Sequence, residues 1–315
     1  FPNGKVSDFQ RRQMTTIITE NCHAIAIDGS FDDCQSMVKD MFRHQSFASA
    51  VRLSAVNSIN WGRVMAQVVY YFTAATALGA PEQSVSFTVP TGNFGDIYAG
   101  FVAKKMGLPI NRLVIATNEN DILARTLATG EHRLGPVKST ITPSMDIQIS
   151  SNFERLLFDA AGRDPAVVRD LMAALKESRR YSLPDKMLRF IRDSFDADAV
   201  SEVETQEEVA RIWKETGYLA DPHTAIAVKV ARDHADPDVP MITLSTAHPA
   251  KFSNAVRDAT GEAARPPIWG DVPSGSTETV AHLASDRARV EEYILQHARL
   301  TQGSVRSFAS EGVTS

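Results

Sequence analysis

Cysteine is nearly absent: Cys22 and Cys34 are the only two in 315 residues. Two thiols cannot build a disulfide framework, and neither sits in a paired-cysteine zinc motif, so both read as reduced structural thiols. The eight histidines are scattered, no His-Glu-x-x-His occurs, and no protein-bound metal site is expected. No apolar run approaches the ~20 residues needed to cross a bilayer, and the first residues lack the charged-then-apolar pattern of a signal peptide. Charge of one sign is also missing. The net −5 comes from interspersed acidic and basic residues with no basic stripe, so neither nucleic acid nor membrane is an expected partner. What is there is a chain with 43% apolar residues, long enough to bury one large core or two smaller ones. A soluble, cytoplasmic protein is expected. Phe1-Pro2-Asn3-Gly4-Lys5-Val6-Ser7 reads as a loop already in progress, so a preceding segment is expected as well.

Apolar periodicity places the elements. Residues 24–27 form a short apolar run closed by Asp28-Gly29, and Cys34, Met37, Val38, Met41 and Phe42 then recur at helical spacing. A second apolar run, at residues 51–56, leads to Asn57-Ser58-Ile59-Asn60. After it Trp61, Val64, Met65, Val68, Val69 and Phe72 mark one face of a long helix that ends near Gly79 and Pro81. Residues 85–89 predict a strand stopped by Pro90, residues 97–106 a helix stopped by Gly107 and Pro109, and residues 113–116 the next strand. Strand, helix, strand with short junctions predicts an α/β fold on a parallel sheet with crossover helices. The pattern weakens over residues 119–143, which read as one long irregular segment. Residues 151–217 read as a helical insertion, with starts at Asp164-Pro165 and Thr205-x-x-Glu208 and a stop at Gly217. Asp221-Pro222 opens another helix, residues 241–244 form a strand ending at Ser245-Thr246, and a late helix covers residues 290–298. The expected organisation is residues 1–80 as part of a smaller α/β domain, 81–150 as the core, 151–217 as the insertion, 218–300 as a return to the core, and 301–315 as a mobile tail.

Gly92-Asn93-Phe94-Gly95-Asp96, between a strand and a helix, is the most informative segment. Glycines in a tight loop let main-chain N–H groups converge on a ligand, and the helix start adds partial positive charge, so an anion such as phosphate fits. The segment has neither the Gly-Lys-Ser/Thr ending of a P-loop nor the Gly-x-Gly-x-x-Gly spacing of dinucleotide folds. A plain strand-to-helix turn capped by Asp96 is the competing reading. Asp96 pointing inward would repel phosphate, so it is assigned to capping or to a hydrogen bond that orients the ligand.

This loop resembles the phosphate-cradling loop of threonine synthases of the microbial and fungal type, a branch of the fold-type II pyridoxal-phosphate enzymes. Other segments agree in order: Ala26-Ile27-Asp28-Gly29-Ser30, Asn57-Ser58-Ile59-Asn60-Trp61, Ala116-Thr117-Asn118-Glu119-Asn120-Asp121, Thr142-Pro143-Ser144-Met145-Asp146, Tyr218-Leu219-Ala220-Asp221-Pro222-His223-Thr224-Ala225 and Leu244-Ser245-Thr246-Ala247-His248-Pro249-Ala250-Lys251-Phe252. The resemblance implies a fold like that of the tryptophan synthase β subunit, with its N-terminal part missing. It implies pyridoxal 5'-phosphate held by Gly92, Asn93, Phe94, Gly95 and Asp96, with the Thr246 hydroxyl on the pyridine nitrogen. Asn57, Ser58, Asn60 and Lys251 are the candidates for the substrate, O-phospho-L-homoserine, which water would convert to L-threonine and phosphate. The family's Schiff-base lysine lies in a Phe-Lys-Asp motif that does not occur here. That lysine is expected upstream, and this chain alone is expected to be inactive. The rival readings are another fold-type II lyase of dehydratase type, whose cradle is usually all glycine, and a non-catalytic anion-binding remnant.

Overall fold

The computed structural model describes residues 1–6, 8–17, 19–265 and 276–298, and the tail expected from residue 301 lies outside the described residues. Two compact units are present: Phe1–Ala55 with Pro267–Ser315, and Val56–Pro266.

In the first unit, strand Ile25–Asp28 pairs in parallel with Ala281–Ala284, Ile25 opposite Ala281. This second strand escaped the sequence reading because its alternation spans only four residues, half of them exposed. Helix Phe31–Arg43 starts at Ser30, whose hydroxyl accepts the Asp33 N–H while the Asp33 carboxylate accepts the Ser30 N–H. This reciprocal cap satisfies two otherwise orphaned donors. Ile27, Met37, Met41, Phe47 and Val290 form the unit's small core.

The second unit is built on one parallel sheet. In chain order its principal elements are helix α1 (Trp61–Ala77), strand β1 (Val85–Pro90), helix α2 (Gly95–Lys105), strands β2 (Ile110–Thr117) and β3 (Phe195–Ala199), helix α3 (Pro222–Asp233) and strand β4 (Met241–Thr243). The strands lie in the order β3-β2-β1-β4, every neighbouring pair parallel. Buried parallel strands need apolar residues on both faces, and β1 is buried at every position. Along β2, Leu113 and Ile115 join a core with Phe87, Phe94, Phe101 and Phe195, while Val114 and Ala116 face Met145, Ile226 and Val230 on the other side. Each fully buried aromatic or leucine side chain contributes roughly 1.5–3 kcal/mol relative to exposure.

The boundary of the first unit falls before residue 56 rather than near residue 80, because α1 packs on α2. The Tyr71 ring lies 4.7 Å from that of Phe87, and a Cβ at Gly100 would stand 2.5 Å from the Tyr71 ring. Residues 119–143 are also more ordered than their sequence suggests. They hold helix Ile122–Thr129 and strand Glu131–Arg133, which pairs antiparallel with Arg180–Ser182. Residues 151–217 do contain four helices, but β3 lies among them and belongs to the main sheet. The last of these helices begins at Ser201, reciprocally bonded with Glu204, and not at Thr205.

Candidate active site

β1 is followed by β2 on one side, and β4 arrives on the other, so the strand order reverses between β1 and β4. A crevice opens at the carboxyl ends of strands at such a reversal. The loop 92–96 leaves β1 there, and Ser245-Thr246 leaves β4 beside it, Leu244 N–H donating to Thr88 O at 3.1 Å. The loop and Thr246 line a cavity of about 220 Å³, with Ser58, Arg63, Gln67, Ser144, Met145, His223, Lys251 and Phe252 contributing to its wall.

The loop's conformation is fixed from behind. Ser150 Oγ donates to Gly92 O at 2.7 Å, and Asn152 donates to Asn93 O from both its main-chain N and its Nδ2 at 3.0 Å. In trans peptides the N–H points opposite to the C=O, so the amides of Asn93 and Phe94 are turned away from residues 150–152. Phe94 is left-handed (φ 64°), a conformation strained for a bulky residue. Its ring holds the strain in place, 1% exposed and edge-on to Phe153 with centroids 5.2 Å apart. Phe94 is also the N-cap of α2, and no side chain caps that helix. The first N–H groups of α2 therefore have no intrahelical acceptor and remain available to an anion.

Asp96 does not cap α2, as one of its two expected roles would have it. Its carboxylate and main-chain oxygen both accept from the Tyr71 hydroxyl, at 3.3 and 2.9 Å. Burial pushes the Asp96 carboxyl up to about 6, against the lowering effect of the Tyr71 bond. Burial likewise raises Tyr71 well above the usual phenol range, with Asp96 adding to the effect.

Among the four candidate substrate residues, Ser58 and Lys251 line the cavity. Ser58 is placed by its carbonyl, which accepts from Asn152 Nδ2 at 2.9 Å. Asn60 caps α1, its Oδ1 accepting from Gly62 N–H at 2.8 Å, while Asn57 is exposed and its carbonyl accepts the Asn60 N–H. Thr246 donates its N–H to Thr224 Oγ at 3.3 Å. His248 caps the short turn ahead of Lys251, its Nδ1 accepting from Ala250 N–H.

Sequence reasoning missed Asn152, Arg63, Gln67, Met145, His223 and Phe252. Arg63 and Gln67 stand four apart on α1, a spacing that places them on one helical face. Asn152 and Met145 carried no such signal. Met145 belongs to a shelf held by Asp146, whose carboxylate accepts from Asn118 and Asn120 Nδ2, Thr140 Oγ and Thr140 N–H at 2.7–3.0 Å.

Whether a pyridoxal phosphate fits can be judged from these residues. The uncapped helix start and the turned amides suit a dianion, Arg63 and Lys251 bring positive charge, and His223 Nε2 is buried in the wall with no hydrogen-bond partner. The donor set fits such a group. The fold is α/β, of the fold-type II class.

Residues 224–294 match the family model for the threonine synthase C-terminal region. The chain is 49% identical over 298 residues to the threonine synthase of Pseudomonas aeruginosa, covering 94% of itself and 64% of that protein. Against the threonine synthase of Saccharomyces cerevisiae it is 43% identical over 280 residues, covering 82% of itself and 54% of the other. It superposes on the crystal structure of a pyridoxal-phosphate-bound threonine synthase from Brucella melitensis with a TM-score of 0.90 and 53% identity, across 95% of this chain and 64% of that one. Residues 224–294 thus carry the threonine synthase C-terminal region, and the chain is similar to threonine synthases over most of its own length while spanning between about half and just under two thirds of theirs.

Proposed function

We propose that the full-length protein is a pyridoxal-phosphate-dependent threonine synthase, converting O-phospho-L-homoserine and water to L-threonine and phosphate. The observation that carries this reading is the single cavity that joins the uncapped start of α2, the glycine-bearing loop 92–96 and Thr246 at the neighbouring strand end. When bound, pyridoxal phosphate supplies an electron sink that acidifies carbon–hydrogen bonds near an attached amino group.

The chain's own residues hold and tune that group. Main-chain N–H groups of Asn93, Phe94, Gly95 and Asp96, with the Asn93 side chain, take the cofactor phosphate at the helix start. The Thr246 hydroxyl meets the pyridine nitrogen and leaves it largely neutral, where a carboxylate would keep it protonated. Ser58 and Lys251, with Arg63, form the second anion site, which binds the substrate phosphate and receives it as it leaves. Asn60 and Asn57 act through the start of α1, fixing the backbone that carries Ser58. The lysine that joins the cofactor belongs to the part of the family's length that this chain does not span. The reaction is assigned to the cytoplasm; among the described residues no helix is long and apolar enough to cross a membrane.

The test is direct. Full-length protein loaded with pyridoxal phosphate should release phosphate and L-threonine in equal amounts from O-phospho-L-homoserine. Ammonia release from L-serine or L-threonine, with no phosphate from the phosphorylated substrate, would overturn the assignment in favour of a dehydratase.

A further inference from the structure

The surroundings of His223 are those of a working residue. Asp221 opens α3, and its Oδ1 accepts the His223 N–H at 3.0 Å. The same oxygen meets His223 Nδ1 at 3.0 Å, and Oδ2 accepts from the Thr224 hydroxyl. An ionised carboxylate only accepts, so Nδ1 must carry the proton. The Asp221 side chain is fully buried and that of His223 is 5% exposed. The carboxylate therefore fixes both the tautomer and the ring plane, and the Phe252 ring, 4.6 Å away, holds the other side.

With Nδ1 committed, the ring's remaining polar atom is Nε2. It is buried, lacks any hydrogen-bond partner, and belongs to a ring that lines the cavity. A buried polar atom left unpaired costs free energy, and native folds rarely retain one without a function. Thr224 extends the arrangement: its hydroxyl, which donates to Asp221, also accepts the Thr246 N–H at 3.3 Å. One carboxylate thus anchors both His223 and the backbone of Thr246.

We propose that His223 is a cofactor-contacting residue whose Nε2, aimed by Asp221, completes its hydrogen bonding on the pyridoxal phosphate bound in this cavity. The proposal rests on the reading of the cleft as a cofactor site. Asp221 is the positioning residue that acts through His223.

Nitrogen NMR of the full-length protein carrying ¹⁵N-histidine tests this, with the His223 signals assigned by their loss in His223→Gln. On addition of pyridoxal phosphate, whose binding is followed by its own absorbance after dialysis, the Nε2 resonance should move by several ppm while Nδ1 stays in the protonated range. Cofactor bound with Nε2 unmoved would overturn this proposal alone. Failure of any cofactor to bind would overturn the cleft reading and this proposal with it. His223→Phe, which keeps a ring against Phe252, should release cofactor about tenfold faster, the equivalent of one hydrogen bond. Unchanged release would also count against the contact.

Discussion

A Cβ placed on Gly92 would stand 2.4 Å from the carbonyl oxygen of Ser144. That oxygen is backbone, and its neighbour Met145 is tied into the Asp146 network, so the shelf cannot retreat cheaply. Gly92→Ala should therefore push the loop 92–96 off its hydrogen bonds to Ser150 and Asn152. Overpacking of this kind costs about 1–3 kcal/mol. Urea unfolding should show a loss of that size, and cofactor retained after dialysis should fall more steeply than stability does. Full retention would mean that the close approach of loop and shelf is not what shapes the cradle.

Asp96 makes the site pH-dependent. Its carboxyl titrates at about 6 in the folded protein against 3.8 ordinarily, because burial disfavours the charged form. Between those values the folded state keeps a proton that the unfolded state releases. Stability therefore falls as pH rises through this window and is flat above it, by at most roughly 3 kcal/mol at ~1.4 kcal/mol per unit. Asp96→Asn retains an oxygen for the Tyr71 hydroxyl and removes the titration. The variant should melt higher than the parent at pH 8 and alike at pH 4. A charged Asp96 also opposes a phosphate at the start of α2, so inorganic phosphate, whose own second ionisation is common to both proteins, should compete for the site relatively better in the variant than in the parent above pH 6 and equally well below it.

The reach of sequence reasoning here followed how local each cause is. The β1 strand, the loop after it and the stop at Gly217 are written in neighbouring residues, whereas the pairing of residues 92–96 with Thr246, far apart in sequence, was available only through family resemblance. β3 was hidden because Phe195-Asp196-Ala197-Asp198-Ala199 carries two aspartates, a residue depleted in strands. Its place in the sheet depends on Arg112 of β2, whose Nε donates to Asp196 Oδ2 at 2.6 Å, a partner far away in sequence. The helix Ile122–Thr129 was masked by flanking breakers, and Thr205 resembled a cap although its hydroxyl only bonds back to Ser201 O. Asn152 could not be read at all, and His223 stood out only as a member of a family-like segment, with no role attached. Each matters through what the fold brings beside it, the Asn93 carbonyl in one case and the cavity in the other.

Phe94 separates the loop's strain from its anchorage. Its backbone is left-handed, which favours glycine, but its ring is buried against Phe153 and Phe195. Phe94→Ala keeps the strained backbone and deletes the anchor, and should destabilise the protein by about 3–5 kcal/mol. Phe94→Gly also relieves φ, so it should be no worse than alanine despite the smaller side chain. Thermal melts of both variants decide this. A glycine variant clearly less stable than alanine would show that the backbone at Phe94 is not under strain.

Thr246 is the residue whose chemistry, rather than packing, should matter. Its side chain is exposed to the cavity and its N–H is fixed by Thr224, so a substitution changes what meets the bound ring without disturbing the core. In full-length protein loaded with pyridoxal phosphate, Thr246→Asp should keep the ring nitrogen protonated and shift the absorbance of the bound cofactor. Phosphate release from O-phospho-L-homoserine should fall at least about tenfold, the effect of ~1.4 kcal/mol on the barrier. Thr246→Ser restores a hydroxyl at the same place and should keep the parent spectrum with most of the rate. If aspartate and serine gave the same spectrum, the strand end beside β1 would not be addressing the ring nitrogen, and the orientation assigned to the cofactor in this cavity would have to be reversed.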